Sequence, residues 1–371
     1  MSITQSWQFQ SCRASLIRFR FRMRRKFHQK EKKMFENTAL NIAERACPSI
    51  SYRIRKEILN EDTSKANMQS LQAMILNEEE ILRVFSLKKE DGWLGGWFHG
   101  VDEPECSIRY LIEKGVEPSH PIIQEALNAL INKGENFDVG GMYRVGKPLD
   151  ELHLGGSNLI KACVFAYTGN EHYDFVIEKI SEALDVFRYI CDVKNITDIY
   201  DIYKNKLVFK AGVIWPSIYH LRLLAYTSKW KNDENKEMLI NAISNLSKLS
   251  PIPNIKLLYK SQIIAPASIY MNNFNEDMNC LNAKEWMMWF HRTELISRLG
   301  IAFEVPSIKA QIEYVNKIMS DNNGLFAKKL RHFYYTKWTQ YLGLALENDW
   351  KSDEKVINDL TFRCLLINSY S

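Results

Sequence analysis

Polar and aromatic residues recur at matched distances from the ends of successive apolar segments, and their types suit charged or aromatic ligands. Eight residues before four helix-stop signals stand Lys161, His220, Arg292 and Tyr341; eleven before them stand Asn158, Ser217, Trp289 and Trp338. Positions three apart share a helix face, so each helix offers a pair to one side. Two strings are especially loaded, Trp215-Pro-Ser-Ile-Tyr219-His220-Leu-Arg222 and Trp286-Met-Met-Trp289-Phe290-His291-Arg292-Thr-Glu294, and the stretch Tyr334 to Tyr341 is similar in kind. A charge at interior depth must be paired or solvated. The combination therefore predicts a wet or ligand-filled pocket with aromatic walls and convergent cations.

The residues expected to bind a substrate are Lys161, Trp215, Tyr219, Arg222, Trp289, Arg292, Trp338 and Tyr341; those expected to carry acid–base chemistry are His220, His291 and Glu294. A prenyl diphosphate would fit, with Arg or Lys on the phosphates and Trp on the hydrocarbon, and so would a carbohydrate or a peptide. A plainer arrangement competes. Trp and Tyr would fill the axis of a helical array, with Arg222 and Arg292 paired to carboxylates such as Glu294. His99 with Asp102 is a further pair for acid–base work. No spaced set of His, Cys, Asp and Glu marks a metal site, and no phosphate loop, dinucleotide fingerprint or Gly-x-Ser-x-Gly setting implies a cofactor or a serine nucleophile. Gly155-Gly156-Ser157-Asn158 reads as a glycine entry into a helix.

The elements that must hold these residues are helical hairpins. Five segments close on Gly115, Gly169, Ser228, Gly300 and Asp349, each followed by a more polar helix beginning near Pro121, Glu171, Asp233, Pro306 and Ser352. The stops lie 49 to 72 residues apart, a repeat of one hairpin plus a variable connection. Residues 38–60 and 66–88 read as helices before the first repeat. Glycine-punctuated breaks fall at Asp91-Gly92, at Asp138-Val-Gly140-Gly141 and at Asp321 to Gly324, and Pro104, Pro121, Pro216 and Pro306 suit first helical turns. Leu207-Val-Phe209 is too short to seed a sheet, so an almost wholly helical chain is expected. Residues 250–282 form the longest irregular connection, long enough to cover the mouth of a cavity. The last segment, from Trp350 to Ile367, reads as an amphipathic closing helix with Arg363 and Asp359 as a surface pair.

One stretch resembles a known repeat. Asp91-Gly-Trp-Leu-Gly-Gly96, then Cys106 to Gly115, then Pro118-Ser-His-Pro-Ile-Ile-Gln-Glu-Ala-Leu127 is similar to a prenyltransferase and squalene-cyclase type repeat, with echoes over 90–169 and 285–349. The resemblance implies an all-α, α/α toroid of five to six helical hairpins, an inner ring of helices lining a cavity and an outer ring covering it. The Asp-x-Asp-Asp acid of the cyclases and the Asp-x-Cys zinc pair of the protein prenyltransferases are both missing, so the resemblance carries scaffold and cavity rather than either reaction. Two functions follow as expectations: an enzyme of terpenoid or prenyl type acting on an anionic or apolar small molecule, or a non-catalytic scaffold that holds a peptide or partner protein. A sugar-active toroid is a third, requiring two cavity carboxylates where the inner helices offer Glu294 and Glu285.

Composition sets the remaining bounds. The 371 residues are 46 % hydrophobic, enough for a real core, and no 18-residue apolar run predicts a membrane span. Seven scattered cysteines without a Cys-x-x-Cys pair suit a reducing, cytoplasmic setting. The net charge of +5 comes from an arm, residues 1–34, which carries ten Lys or Arg against Glu31. The body, 35–371, is then about −4, which argues against nucleic acid as its partner. Lys30-Glu31 before Met34 is also what a translated ribosome-binding site encodes, so the arm is equally read as an over-extended start.

Overall fold

Proline and glycine punctuate the helices much as the spacing predicts. In the computed structural model, which describes residues 33–133 and 140–371, the chain is mostly helical. The arm over 1–32 and the predicted break at Asp138 lie outside the described residues. The helices are α1 (33–45), α2 (Pro48–Arg53, continued by a π-turn over Ile54–Ile58), α3 (Ala66–Leu76), α4 (Glu79–Ser86), α5 (Pro104–Glu113) and α6 (Pro121–Asn132). There follow α7 (Gly140–Glu151), α8 (Ser157–Tyr167), α9 (Asp174–Asp192), α10 (Ile218–Ala225), α11 (Asp233–Leu249), α12 (Ala283–Arg298), α13 (Pro306–Asp321), α14 (Phe333–Thr336) and α15 (Asp353–Tyr370). Pro48, Pro104, Pro121 and Pro306 each open a helix, where the missing N–H costs nothing; Pro216 falls just ahead of α10. Gly115, Gly169 and Gly300 stop α5, α8 and α12 at φ of +89°, +75° and +74°, a left-handed turn that glycine makes without steric cost.

Two layers follow from burial. Every residue of α10 is buried, and α8, α12 and α15 are buried along most of their length, as helices covered on all sides must be. These pack in succession: α5 on α8, α8 on α10, α10 on α12, α12 on α15, and α15 on the π-turn after α2. Arg53 on α2 then reaches α5, with Nη1 3.2 Å from the Glu113 carbonyl and 2.7 Å from its carboxylate. The amphipathic helices α9, α11 and α13 form the second layer, α9 against α8 and α11, α13 against α11 and α15. The buried apolar residues make one continuous cluster.

Three expectations fail. The region read as coil holds two short antiparallel hairpins, β1 (Tyr200–Tyr203) with β2 (Lys206–Phe209) and β3 (Leu257–Tyr259) with β4 (Gln262–Ile264). Their turns use Lys204 and Asn205 at φ of +48° and +58°, and Lys260 at +55°, instead of the Asn-Gly or Asp-Gly pairs that announce a hairpin. The helix expected from Tyr334 to Asp349 is one turn, α14, followed by an irregular loop; Gly343 sits there at φ +99° against the Trp338 ring. Finally, α15 packs as a closing helix, but Asp359 and Arg363 are no surface pair: each is 1 % exposed. Asp359 instead accepts the Leu346 and Glu347 amides and the Trp350 indole, binding that loop to the core.

Candidate functional site: a polar chamber behind a loop

Six side chains, buried except for the partly exposed Glu57 and Arg298, form a closed ring of alternating charge where the inner helices meet. Arg53 pairs with Glu57 and Glu113 (2.7 Å to the latter), Glu113 with Arg363 (3.0 Å), Arg363 with Glu294 (2.9 Å), Glu294 with Arg298 (3.1 Å), and Arg298 with Glu57 (3.2 Å). Tyr226 donates to Glu113 and Tyr370 to Glu57, while Arg298 lies between those two rings, 4.7 and 4.3 Å from their centroids. Burial disfavours the charged form of Glu113, but Arg363 and Arg53 outweigh it and hold its carboxyl well below the usual range. Three cations and three anions leave the ring neutral.

Beside it lies a second polar layer. Arg109, Tyr167, Arg222 and His291, none more than 6 % exposed, line a cavity of about 10 Å³ together with Glu113, Glu294 and Tyr226 of the charge ring and its neighbours, a volume on the scale of one water molecule. Arg222 Nη2 lies 3.2 Å from His291 Nε2. A guanidinium only donates, so Nε2 accepts and the His291 proton belongs on Nδ1. Burial, with Arg222 nearby, pushes His291 well below its ordinary pKa and keeps it neutral. Glu105, fully buried, stands 3.6 Å from Arg222 Nη1 and 3.4 Å from His99 Nδ1. Burial opposes its ionisation, yet His99, Arg222 and Arg109 hold its carboxyl below the ordinary value. The His99 ring is set edge-on to Tyr219 and Tyr341, both 6.0 Å away.

The loop after α14 closes this layer through its backbone. Arg109 Nη2 donates to the Thr339 and Leu342 carbonyls, Arg222 Nη1 to Gln340 (2.9 Å), Tyr270 to Tyr341 and Arg363 Nη2 to Leu344. Its Trp338 is packed between Arg109, 4.9 Å from the ring, and Tyr110, 5.0 Å away edge-on. The other face of Trp338 borders a solvent-open cleft of about 940 Å³, walled by Glu78, Glu80, Arg83, Asp102 and Tyr110 among others. The loop is thus a partition between a wide cleft and a small polar chamber.

Of the residues predicted from the sequence, Tyr219, Arg222, His291, Glu294 and Tyr341 reach this region. The others do not. His220 caps its own helix: its Nδ1 accepts the Ser217 amide at 2.9 Å, and burial, then His153 and Lys179, lowers its pKa to about 3. Lys161 lies over Phe175 of α9, 5.0 Å from the ring, and Trp289 donates to Gln311 of α13 at 2.8 Å. Arg292 pairs with Glu276 at 2.6 Å and donates to the Tyr270 carbonyl, anchoring the 250–282 connection. Trp215 is buried near Phe209 of β2, and Trp338 forms the partition. Glu294, offered as an acid or base, is held by Arg298 and Arg363. Asp102 pairs with Arg83, leaving His99 to Glu105.

The physical reason is helical phase. The inward positions are two and six residues before each stop: Glu113 and Arg109, Tyr167 and Cys163, Tyr226 and Arg222, Arg298 and Glu294. Moving two residues along a helix turns about 200° around it, so on α8, α10 and α12 the positions eight before the stops, Lys161, His220 and Arg292, face away from the chamber. The charged i, i+4 repeat was the available signal for Glu105, Arg109 and Glu113; Arg363 lies on a helix outside the pattern of stops. Among the described residues no three His, Cys, Asp or Glu side chains are placed to hold a metal, and no helix is long and apolar enough to cross a membrane. Compared with known proteins, the chain matches no family model, no curated protein and no solved structure.

Proposed function

We propose that this chain is an α/α toroid that binds a small molecule near its axis, the ligand's polar end meeting Arg109, Tyr167, Arg222 and His291 and its body lying in the rim cleft. The observation that carries the reading is a concentration of buried polar atoms without a hydrogen-bond partner in the protein. Arg109 Nε, Tyr167 OH, Arg222 Nε and His291 Nδ1 belong to the chamber wall, and Tyr219 OH stands beside it. Each such atom costs about 1–3 kcal/mol, and a core selected only for stability satisfies nearly all of them. The toroid reading is supported by the serial packing of α5, α8, α10, α12 and α15 and by the charge ring that links the last of these to the first. The glycine-aromatic repeat similar to that of prenyltransferases and squalene cyclases agrees with it.

Binding is favoured over a terpenoid reaction. Trp215 and Trp289, the expected hydrocarbon walls, face elsewhere. The free thiols of Cys47, Cys106, Cys163, Cys191, Cys280 and Cys364 suit a cytoplasmic protein. Native mass spectrometry of the purified protein tests the reading: a retained small molecule is expected, lost on Arg222→Met. Retention of nothing, with no compound of a metabolite panel raising the unfolding midpoint, would sink it.

A second reading has its own support. Trp97 and Val101, 55 % and 49 % exposed, stand on the loop beside the cleft, an apolar rim suited to a peptide or partner protein. Under that reading Trp97→Ser abolishes the association and leaves small-molecule retention unchanged.

A further inference from the structure

We infer that the chamber is built for a carboxylate head group, for which the backbone carbonyls of the loop Lys337–Gly343 stand in. This rests on the chamber being a ligand site and adds the class of ligand. The first argument is charge. Around the axis stand five arginines, Arg53, Arg109, Arg222, Arg298 and Arg363, against five carboxylates, Glu57, Glu105, Glu113, Glu294 and Asp359. Lys114 and Glu78 make a separate neutral pair at 2.6 Å, and His291 is neutral. These charges balance, but Arg109 and Arg222, which line the chamber, donate to neutral carbonyls and to His291 rather than to carboxylates, an arrangement that an anion beside them would relieve.

The second argument is hydrogen-bond sense. Three unpartnered atoms of the wall can only donate, Arg109 Nε–H, Arg222 Nε–H and His291 Nδ1–H, and the fourth, the Tyr167 hydroxyl, carries a hydrogen that it can donate. The carboxylates that also line it, Glu113 and Glu294, are already engaged by arginines. The third is substitution. Arg109 and Arg222 hold three neutral carbonyl oxygens, of Thr339, Gln340 and Leu342. Carboxylate oxygens in those places make charge-assisted bonds that are roughly twice as strong. A molecule bearing one would enter from the cleft, lift the loop about Lys337 and Gly343, and leave its body against Tyr110 and Trp338.

The test measures the unfolding midpoint and calorimetric binding of the full chain with acetate, benzoate and octanoate. Benzamide, inorganic phosphate and sodium chloride at matched ionic strength are the controls. At least one carboxylate is expected to bind and to raise the midpoint where the controls do not, and hydrogen exchange of the Tyr341 and Leu342 amides is expected to quicken on binding. Tyr167→Phe removes only an unpartnered hydroxyl, so it folds, and it should weaken that carboxylate by about tenfold or more; Arg222→Met should abolish binding. A response to phosphate or benzamide equal to that of the carboxylates, or affinity unchanged in Tyr167→Phe, overturns the inference. Retention of a neutral molecule indifferent to Tyr167→Phe also overturns it, while leaving the ligand-binding reading standing; retention of nothing removes both.

Discussion

Arg363 Nη1 lies 3.0 Å from Glu113 Oε2, joining the C-terminal helix to a helix formed 250 residues earlier in the chain. The same nitrogen is 2.9 Å from Glu294 on α12, so a single cation holds three inner helices at one point.

Replacing Arg363 with Met leaves two buried carboxylates short of a partner. The loss should be about 3–5 kcal/mol, the range for breaking a buried pair by removing one member. Urea denaturation measures it against Arg83→Met, whose partly exposed pairs with Glu80 and Asp102 predict less than about 1 kcal/mol. Equal losses in the two variants would mean the ring contributes no more than a surface pair.

Gly343→Val should free the loop. A Cβ at this position would lie 2.5 Å from the Trp338 ring, and φ of +99° strains any L side chain. Limited trypsin digestion should cut faster after the exposed Lys337 than in the parent, with helix content by circular dichroism nearly unchanged. An unchanged cleavage rate would show that the loop is held independently of the Gly343–Trp338 contact.

Acid should destabilise the fold through its buried histidines. His220 titrates near 3 in the folded chain, and His291 well below its ordinary value, whereas both return to about 6.5 on unfolding. The unfolded state then binds more protons, so stability is complete above about pH 6.5 and falls as the pH is lowered toward 3. His220→Asn, which keeps an acceptor for the Ser217 amide, should flatten the slope of the unfolding free energy between about pH 6.5 and 4. A slope equal to that of the parent would exclude His220 as a contributor.

Arg292→Ala should behave as a stability variant. It strips Glu276, 8 % exposed at its side chain, of its ion partner and loosens the 250–282 connection. The unfolding midpoint should drop, and the affinity of whatever ligand native mass spectrometry reveals should stay within about twofold. Loss of the ligand with an unchanged midpoint would return Arg292 to the binding site.

The order of helices, and their stops at Gly115, Gly169 and Gly300 with a second helix after each, were legible in the linear sequence. Each depends on a few neighbouring residues and on a period of 3.6. So was the presence of cations among aromatics on α10 and α12. Which face of those helices looked inward was not: a two-residue choice of phase separates Arg222 from His220 and Glu294 from Arg292, and only the covering by α9, α11 and α13 decides it. Equally, nothing local to Phe333–Trp350 predicted a loop in place of a helix. Its shape is set by distant groups, the carboxylate of Asp359 taking its amides and Arg109, Arg222 and Arg363 taking its carbonyls. Local propensity is a weak force beside such charge-assisted anchors, and these form only when segments far apart in sequence have folded together.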